Sequence, residues 1–243
     1  MGAVCQVPSH QRIQNLSPSD AERRDALATE IERRLGLMPQ RSTEQVRALR
    51  REFSKQLSQD DPEFVTELAL SLIDRSDIHR FIAYELVQHH KRALTSLTAK
   101  KLEQLGSGLD SWVAVDTFAC YLAGPVWRER QVGDDLIRVW ARTGDRWWRR
   151  AALVSTVPLN NKARGGSGDV SRTLDICKIL ITDHDDMVVK AMSWALRELG
   201  KRDPAAVRKF IDSHQQALAP RVIREVNNKL ETGLKNPRKS GKH

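Results

Sequence analysis

The sequence predicts an all-α protein built from HEAT-like helical repeats, and two observations carry that prediction. Apolar residues recur at three- and four-residue spacing with charged residues between them, and no run alternates with the two-residue period of a strand. Similar segments also recur at a spacing close to the roughly 40 to 47 residues of a two-helix HEAT or armadillo unit. Because such units bury their apolar faces only against neighbours, we expect a solenoid with a concave basic face.

The first half of the chain divides into helices whose starts are marked by capping residues. Ser42 is followed three residues later by Gln45, the pattern of a capping box. Asp61 precedes a proline, which the first turn of a helix accepts without losing a hydrogen bond, and Asp203 does the same in the second half of the chain. The predicted helices in this half span residues 20–35, 43–57, 62–75, 78–92 and 98–105.

Three segments can be laid over one another, which indicates an internal repeat. Residues 76–83, 144–151 and 185–192 each have an acidic start, a bulky stretch, and a basic or aromatic residue before small apolar residues. Arg150 and Lys190 lie 40 residues apart, and about five or six helix pairs fit between residues 19 and 231. We therefore expect a flexible segment over 1–18, one repeat domain over 19–232 and a basic tail over 233–243.

Composition places this domain inside the cell. The 243 residues are 40% hydrophobic, enough for a sizeable core, and no stretch approaches the roughly 18 apolar residues of a membrane-spanning helix. Cys5, Cys120 and Cys177 lie too far apart for a zinc ribbon, and a secreted disulfide scaffold is disfavoured. The N-terminus has no apolar run typical of a signal peptide. We expect a cytoplasmic monomer.

The net charge of +9 is concentrated in two places. Residues 128–172 hold 10 basic and 5 acidic side chains, and residues 229–243 hold 5 and 1, while the rest of the chain sums to zero. The C-terminal excess is typical of a solubilising tail. The central excess favours a nucleic-acid partner, which in a bacterium would associate the protein with the nucleoid.

A glycine-rich segment over 160–169 interrupts the helical pattern. It carries Lys162 and Arg164 but lacks the GxxxxGK[ST] arrangement of a phosphate-cradling loop. We interpret it as a flexible surface insertion with two candidate DNA-binding cations.

No tryptophan lies before residue 112, and the tryptophans cluster in the same part of the chain as the central basic excess. Aromatic rings interleaved with arginines suit nucleic acid, since rings pack on sugars and bases while guanidinium groups bind phosphates. A helical core is the alternative, favoured for Trp140 and Trp147. The six tryptophans are Trp112, Trp127, Trp140, Trp147, Trp148 and Trp194.

Asp116 has apolar neighbours, an unusual setting for a carboxylate. Trp112 lies four residues before it, so both lie on one face of a helix, one turn apart. We expect Asp116 to line a cleft or to pair with a cation, for which Arg150 is the natural partner; a structural salt bridge or a helix cap are the alternatives. Arg150 and Trp194 follow at repeat-like spacings, so all four residues can converge on one concave surface.

At these residues the sequence resembles the AlkD-type DNA alkylation repair glycosylases, which are built from HEAT-like repeats. The resemblance extends from about residue 77 to residue 231, with its motifs in the family's order and near its separations. The motifs are Trp112-Val-Ala-Val-Asp116, Arg149-Arg150-Ala-Ala-Leu-Val154 and Lys190-Ala-Met-Ser-Trp194-Ala-Leu-Arg-Glu198.

The resemblance implies excision of cationic N3- or N7-alkylpurines from duplex DNA, without insertion of the base into a protein pocket. It implies that Asp116 is the catalytic carboxylate, that Trp112 and Trp194 hold the deoxyribose, and that Arg150 anchors a backbone phosphate. No metal or organic cofactor is expected; the His89-His90 pair has no ligand spacing. Our further DNA-binding candidates are Arg149, Lys190, Trp148, Lys162 and Arg164.

One departure and two rival functions accompany this hypothesis. Members of the family carry a further tyrosine in the N-terminal helices, whereas Phe53 is the only aromatic residue here before residue 60. This difference predicts a narrower or weaker activity, or a different lesion size.

A catalytically silent HEAT-like protein that binds distorted or branched DNA is the first rival function, and a protein-interaction solenoid is the second. The retained tryptophans, carboxylate and arginine favour the enzyme.

Overall fold

The structure is a computed structural model that describes residues 18–237 of the chain. Within this range all regular elements are helical, which confirms the predicted fold class. The predicted segment 1–18 lies outside the described residues except for Pro18, and the tail is described only to Pro237. The helices are α1 (Pro18–Gly36), α2 (Thr43–Gln56), α3 (Pro62–Arg75), α4 (Arg80–His89), α5 (Lys91–Ser96), α6 (Ala99–Leu105), α7 (Trp112–Phe118), α8 (Gly124–Arg128), α9 (Asp134–Ala141), α10 (Arg146–Val154), α11 (Val157–Asn160), α12 (Val170–Ile179), α13 (Asp186–Leu199), α14 (Pro204–Ser213) and α15 (Pro220–Thr232).

The helices form two rows, as a helical repeat solenoid requires. In the inner row α2, α4, α7, α10, α13 and α15 pack on one another in succession. On the other side, α1 packs on α3, α3 on α5 and α6, and α9 on α12. Helices α10 and α13 begin at Arg146 and Asp186, 40 residues apart, and the three overlaid segments lead into α4, α10 and α13. The repeat seen in the sequence therefore marks the inner row.

The predicted capping residues begin their helices. Ser42 and Gln45 form a reciprocal capping box at α2, while the Asp61 and Asp203 carboxylates accept hydrogen bonds from backbone N–H groups of α3 and α14. The helix predicted over 78–92 is instead divided at His90. The His90 backbone is extended, which ends α4. The Nδ1 atom of His90 accepts a hydrogen bond from Ala93 N at 3.0 Å, so the same residue caps α5.

Aromatic residues form the centre of one continuous buried cluster. Phe118 lies 5.8 Å from Tyr84, 5.9 Å from Trp140 and 6.0 Å from Trp148, measured between ring centroids. Trp140 and Trp148 are 4.8 Å apart. These tilted and edge-on arrangements are the favourable ones for aromatic pairs, so these tryptophans stabilise the core.

A π-helical segment, Ala119–Ala123, joins α7 to α8 within one continuous helix. Pro125 follows it and has no N–H to donate, which breaks the regular hydrogen-bond ladder. Gly124 lies against α11, where a Cβ atom would be 2.6 Å from Pro158 Cγ and 2.7 Å from the Ser155 carbonyl oxygen. The wider turn of the π-helical segment and the close packing of Gly124 against α11 together set the direction of the helix just beyond Asp116.

The glycine-rich segment is packed against the rest of the protein, unlike the flexible insertion that the sequence predicted. Arg202 donates to the carbonyl oxygens of Asn160 and Gly166, both at 2.7 Å, and Arg128 donates to the carbonyl oxygen of Arg164. Asn160 also binds Thr173 at 2.8 Å. These partners lie up to 42 residues away in sequence, so the pattern of the segment alone could not indicate them.

No helix between residues 18 and 237 combines the length and apolar character needed to cross a membrane.

Candidate active site

A cleft of about 330 Å³ lies on the inner row, between α7, α10, α13 and the segment after α15. It brings together five residues predicted from the sequence and three that were not. The predicted residues are Trp112, Asp116, Arg150, Lys190 and Trp194; the others are Met187, Arg197 and Lys235.

Helix α7 presents Trp112 and Asp116 to this cleft. The Ser111 side chain caps the helix by accepting from Ala114 N, and Val115 and Phe118 are fully buried on the neighbouring face of the helix. With that face fixed in the core, Trp112 is 55% exposed at the rim of the cleft. The four-residue spacing thus sets the indole one turn from the carboxylate, as predicted.

Asp116 and Arg150 form a bidentate ion pair. Arg150 donates from Nε to Oδ1 and from Nη2 to Oδ2, both at 2.9 Å, and from Nη1 to the Met187 carbonyl oxygen at 2.5 Å. The side chains are 7% and 18% exposed for Arg150 and Asp116. The pair is therefore largely withdrawn from water and fixes the plane of the carboxylate.

Two opposing influences act on the pKa of Asp116. Burial raises the pKa because it disfavours the charged form, while the hydrogen bonds and charge of Arg150 lower it; the net direction is upward. A carboxylate has about four lone-pair positions, and Arg150 occupies two of them. The remaining two can face a molecule in the cleft.

Cations occupy most of the remaining wall. Lys190 pairs with Asp186 at 2.6 Å, and Arg197 Nε donates to Ser193 Oγ at 3.2 Å. Burial lowers the pKa of the Arg197 guanidinium. With Lys235 and Arg150, these side chains place four cationic groups around Asp116; three of them pair with Asp116, Asp186 and Glu225, and Arg197 forms no salt bridge among residues 18–237. Such cations can bind the phosphates of a polyanion that enters the cleft.

Lys235 reaches the cleft because the chain turns back after α15. Gly233 adopts a left-handed backbone conformation with φ of 72°, which suits glycine at a helix C-terminus. Asn228 Nδ2 then donates to the Lys235 carbonyl oxygen at 3.1 Å, and Lys235 Nζ lies 3.3 Å from Glu225 Oε2. Sequence reasoning took this segment for a solvated tail; the glycine cap was the one available signal.

Several predicted DNA-binding residues lie outside the cleft. Arg149 donates to Asp183 and to the Gly144 carbonyl oxygen, at 2.7 and 2.8 Å, and Trp148 packs in the aromatic core. Lys162 and Arg164 lie on a 3-10 turn farther along the inner face.

Among residues 18–237, two aromatic side chains, Trp112 and Trp194, line the cleft and no third does. Phe53 is 4% exposed and belongs to the core, so it does not replace the N-terminal tyrosine that the resemblance implies. Within residues 18–237 no three His, Cys, Asp or Glu side chains are grouped to hold a metal ion.

No curated protein matches the sequence. The family described as DNA alkylation repair enzyme matches residues 19–230, a range that includes every residue of the cleft except Lys235. The chain therefore belongs to the DNA alkylation repair enzyme family.

Proposed function

We propose that the protein is a monofunctional DNA glycosylase that hydrolyses the N-glycosidic bond of cationic N3- or N7-alkylated purines in duplex DNA. One observation carries the proposal: a single carboxylate, Asp116, lies with two tryptophans in a cleft whose other lining residues are Met187 and four cations. Such a cleft suits a substrate with a positive centre inside a negatively charged backbone.

The chemistry of the substrate determines what the protein must supply. An alkylated purine carries a positive charge, so the bond from C1′ to the base breaks with its electron pair passing to the ring, and the base leaves neutral. No general acid is required. Positive charge grows on the sugar in the transition state, and water then adds at C1′ and releases a proton.

Asp116 supplies the negative charge that this transition state needs. Its two free lone-pair positions can face C1′ and orient the attacking water, while Arg150 holds the carboxylate in place. The Trp112 and Trp194 faces can pack on the polarised deoxyribose. By analogy with cation–π contacts, each contributes about 0.5 to 2 kcal/mol.

Arg150 has two roles in this proposal. Three of its five N–H groups bind Asp116 and Met187, so it acts first as a positioning residue. The remaining two N–H groups can donate to a backbone phosphate beside the lesion. Lys190 and Arg197 hold neighbouring phosphates, whereas we assign Arg149 and Trp148 to the stability of the fold.

The proposal is tested by release of 7-methylguanine from methylated duplex DNA. Asp116→Asn should lower the single-turnover rate about 10²- to 10³-fold, the usual loss when one electrostatic group is removed from an active site, while DNA binding persists. Asp110→Asn is the matched control, because Asp110 is exposed just before α7 and outside the cleft. Equal release by wild type and Asp116→Asn would contradict the role of Asp116.

The ion pair between Asp116 and Arg150 is also compatible with a rival function, since a carboxylate that accepts two hydrogen bonds from an arginine is typical of a structural site. Salt-dependent DNA binding by the wild type without release of any base would identify a silent DNA-binding protein. Absence of DNA binding would identify a protein-interaction solenoid.

A further inference from the structure

A second cleft lies on the same inner row, toward its N-terminal helices. Its volume is about 610 Å³, and its walls come from α2, α4, the π-helical segment and the turn at Lys162–Arg164. No step of the proposed reaction uses it. Five of its side chains are linked by ion pairs, hydrogen bonds or ring contacts: Arg47, Arg50, Glu85, Tyr121 and Arg164.

Glu85 holds two arginines in this cleft. It is 2% exposed; its Oε1 accepts from Arg47 Nε at 2.8 Å, and its Oε2 accepts from Arg50 Nε at 3.3 Å. One buried carboxylate thus fixes two guanidinium groups but neutralises only one of their charges. The cleft keeps positive charge on side chains that are already ordered.

Arg164 adds a cation without a carboxylate partner. Its guanidinium lies 5.1 Å from the centroid of the Tyr121 ring, and across residues 18–237 it forms no salt bridge. Tyr121 accepts a hydrogen bond from Arg47 Nη2 at 3.0 Å, so this tyrosine links the two arginines.

Three arginines against one carboxylate leave two positive charges in the cleft. His89 adds none at neutral pH, since burial and the nearby Arg50 lower its pKa. A phosphate group matches such planar, preformed donors.

The second cleft lies at a short distance from the candidate active site. Asp116 and Tyr121 are five residues apart on one continuous helix, so at the α-helical rise of about 1.5 Å per residue they lie no more than about 7.5 Å apart along its axis. Two base steps of a duplex cover a similar distance, about 3.4 Å each. A duplex with one sugar at Asp116 therefore has backbone phosphates within reach of the second cleft.

We propose that the second cleft binds a phosphodiester of the DNA backbone flanking the lesion. The inference rests on the proposed function for the presence of DNA, and it adds an anchor to which the N-terminal helices α2 and α4 contribute. As described within residues 18–237, these two helices supply no side chain to the candidate active site, so this ionic contact would align the duplex instead.

The test is a fluorescence anisotropy titration of an unmodified duplex over a range of KCl concentrations. Arg164→Gln and Arg47→Gln should each lower the affinity about tenfold and reduce the slope of log K against log salt by about 0.9, the value for one lost phosphate contact. Arg51→Gln is the matched control: it removes the same charge from an exposed position on α2, outside the cleft, and should change neither quantity. If Arg47→Gln does not fold, Arg164→Gln decides, because it breaks no salt bridge.

Two outcomes would overturn the inference. Equal slopes for wild type, Arg51→Gln and Arg164→Gln would show that no phosphate binds there. Calorimetric binding of inorganic phosphate that Arg164→Gln abolishes, with an unchanged DNA slope, would assign the cleft to a free anion. Because an unmodified duplex needs no excision, these outcomes stay separate from a failure of catalysis; a wild type that binds no DNA contradicts the proposed function itself.

Discussion

Asp116 is the residue on which the proposed chemistry depends, and Arg150 controls its protonation. Because burial raises the pKa of this carboxyl, its ionisation costs folding free energy. The contribution of Asp116 to stability is therefore present at low pH and lost as the pH rises through its folded pKa. Arg150 reduces that cost, because its hydrogen bonds and charge lower the pKa of the carboxyl.

The first prediction from this pair concerns the pH dependence of excision. The single-turnover rate should fall as the pH drops through the pKa of Asp116, since only the carboxylate stabilises the sugar cation. Arg150→Gln removes the charge that lowers this pKa, so the midpoint of the acid limb should move to higher pH. Arg149→Gln is the control: its guanidinium pairs with Asp183 and makes no hydrogen bond to Asp116. An equal shift of this midpoint in Arg150→Gln and Arg149→Gln would contradict the proposed effect of Arg150 on the pKa of Asp116.

Arg150→Gln also removes one partner of a buried ion pair, which typically costs about 3 to 5 kcal/mol of stability. The pH profile is therefore read below the melting temperature of the variant.

Spacing in the sequence identifies Trp112 and Asp116, because residues four apart share a helix face and their buried neighbours leave one face open. Repeat-like spacing and the resemblance favoured Arg150 as the partner of Asp116, although the adjacent Arg149, which points about 100° away on α10, fits the spacing nearly as well. The choice depends on where α7 and α13 pack. In the structure Arg150 meets Asp116, while Arg149 turns toward Asp183.

At the scale of elements, the turn after α15 gives the candidate active site one of its walls. Lys229 Nζ donates to the Gly233 carbonyl oxygen, and Glu225, which is almost fully buried, attracts Lys235. Lys235, which lies outside the helical repeats, is thus held at the candidate active site, whose other walls come from α7, α10 and α13. We expect its ammonium group to bind a phosphate once DNA displaces the contact with Glu225.

Lys235→Ala tests this role. It should weaken duplex binding and reduce the salt slope by about 0.9, because one phosphate contact is lost. Lys178→Ala, a control at an exposed position of α12 outside both clefts, should leave the slope unchanged. If Lys235 serves only to pair with Glu225, Lys235→Ala will lower the melting temperature and leave the slope at its wild-type value.

Sequence patterns predict most helices but not the irregular segments between them. Capping boxes and Asp-Pro starts are local signals, so α2, α3 and α14 begin where expected. The π-helical segment depends on Gly124 fitting against α11. The glycine-rich segment depends on Arg128 and Arg202, which are distant in sequence. Tertiary contacts decide both, and no local pattern records them.

At the scale of the whole molecule, ion pairs change the meaning of the net charge. Residues 128–172 hold the central basic excess, yet most of their arginines are paired with carboxylates, many of them from the next repeat. These pairs join neighbouring repeats and leave little charge for DNA. Within the described residues of this segment, the cations without a salt bridge are Arg130, Arg142, Lys162 and Arg164.

Position on the inner row, rather than net charge, should therefore determine DNA affinity. Lys162→Gln/Arg164→Gln and Arg130→Gln/Arg142→Gln each lower the net charge by two. The first pair lies on the turn beside the second cleft, so its loss should reduce the salt slope by about 1.8. The second pair is exposed and lies in neither cleft, so its loss should change the slope little.

Filter binding over a range of salt concentrations compares the two double variants directly. Equal reductions would mean that DNA responds to the total charge of the molecule and that the inner row has no special role in binding.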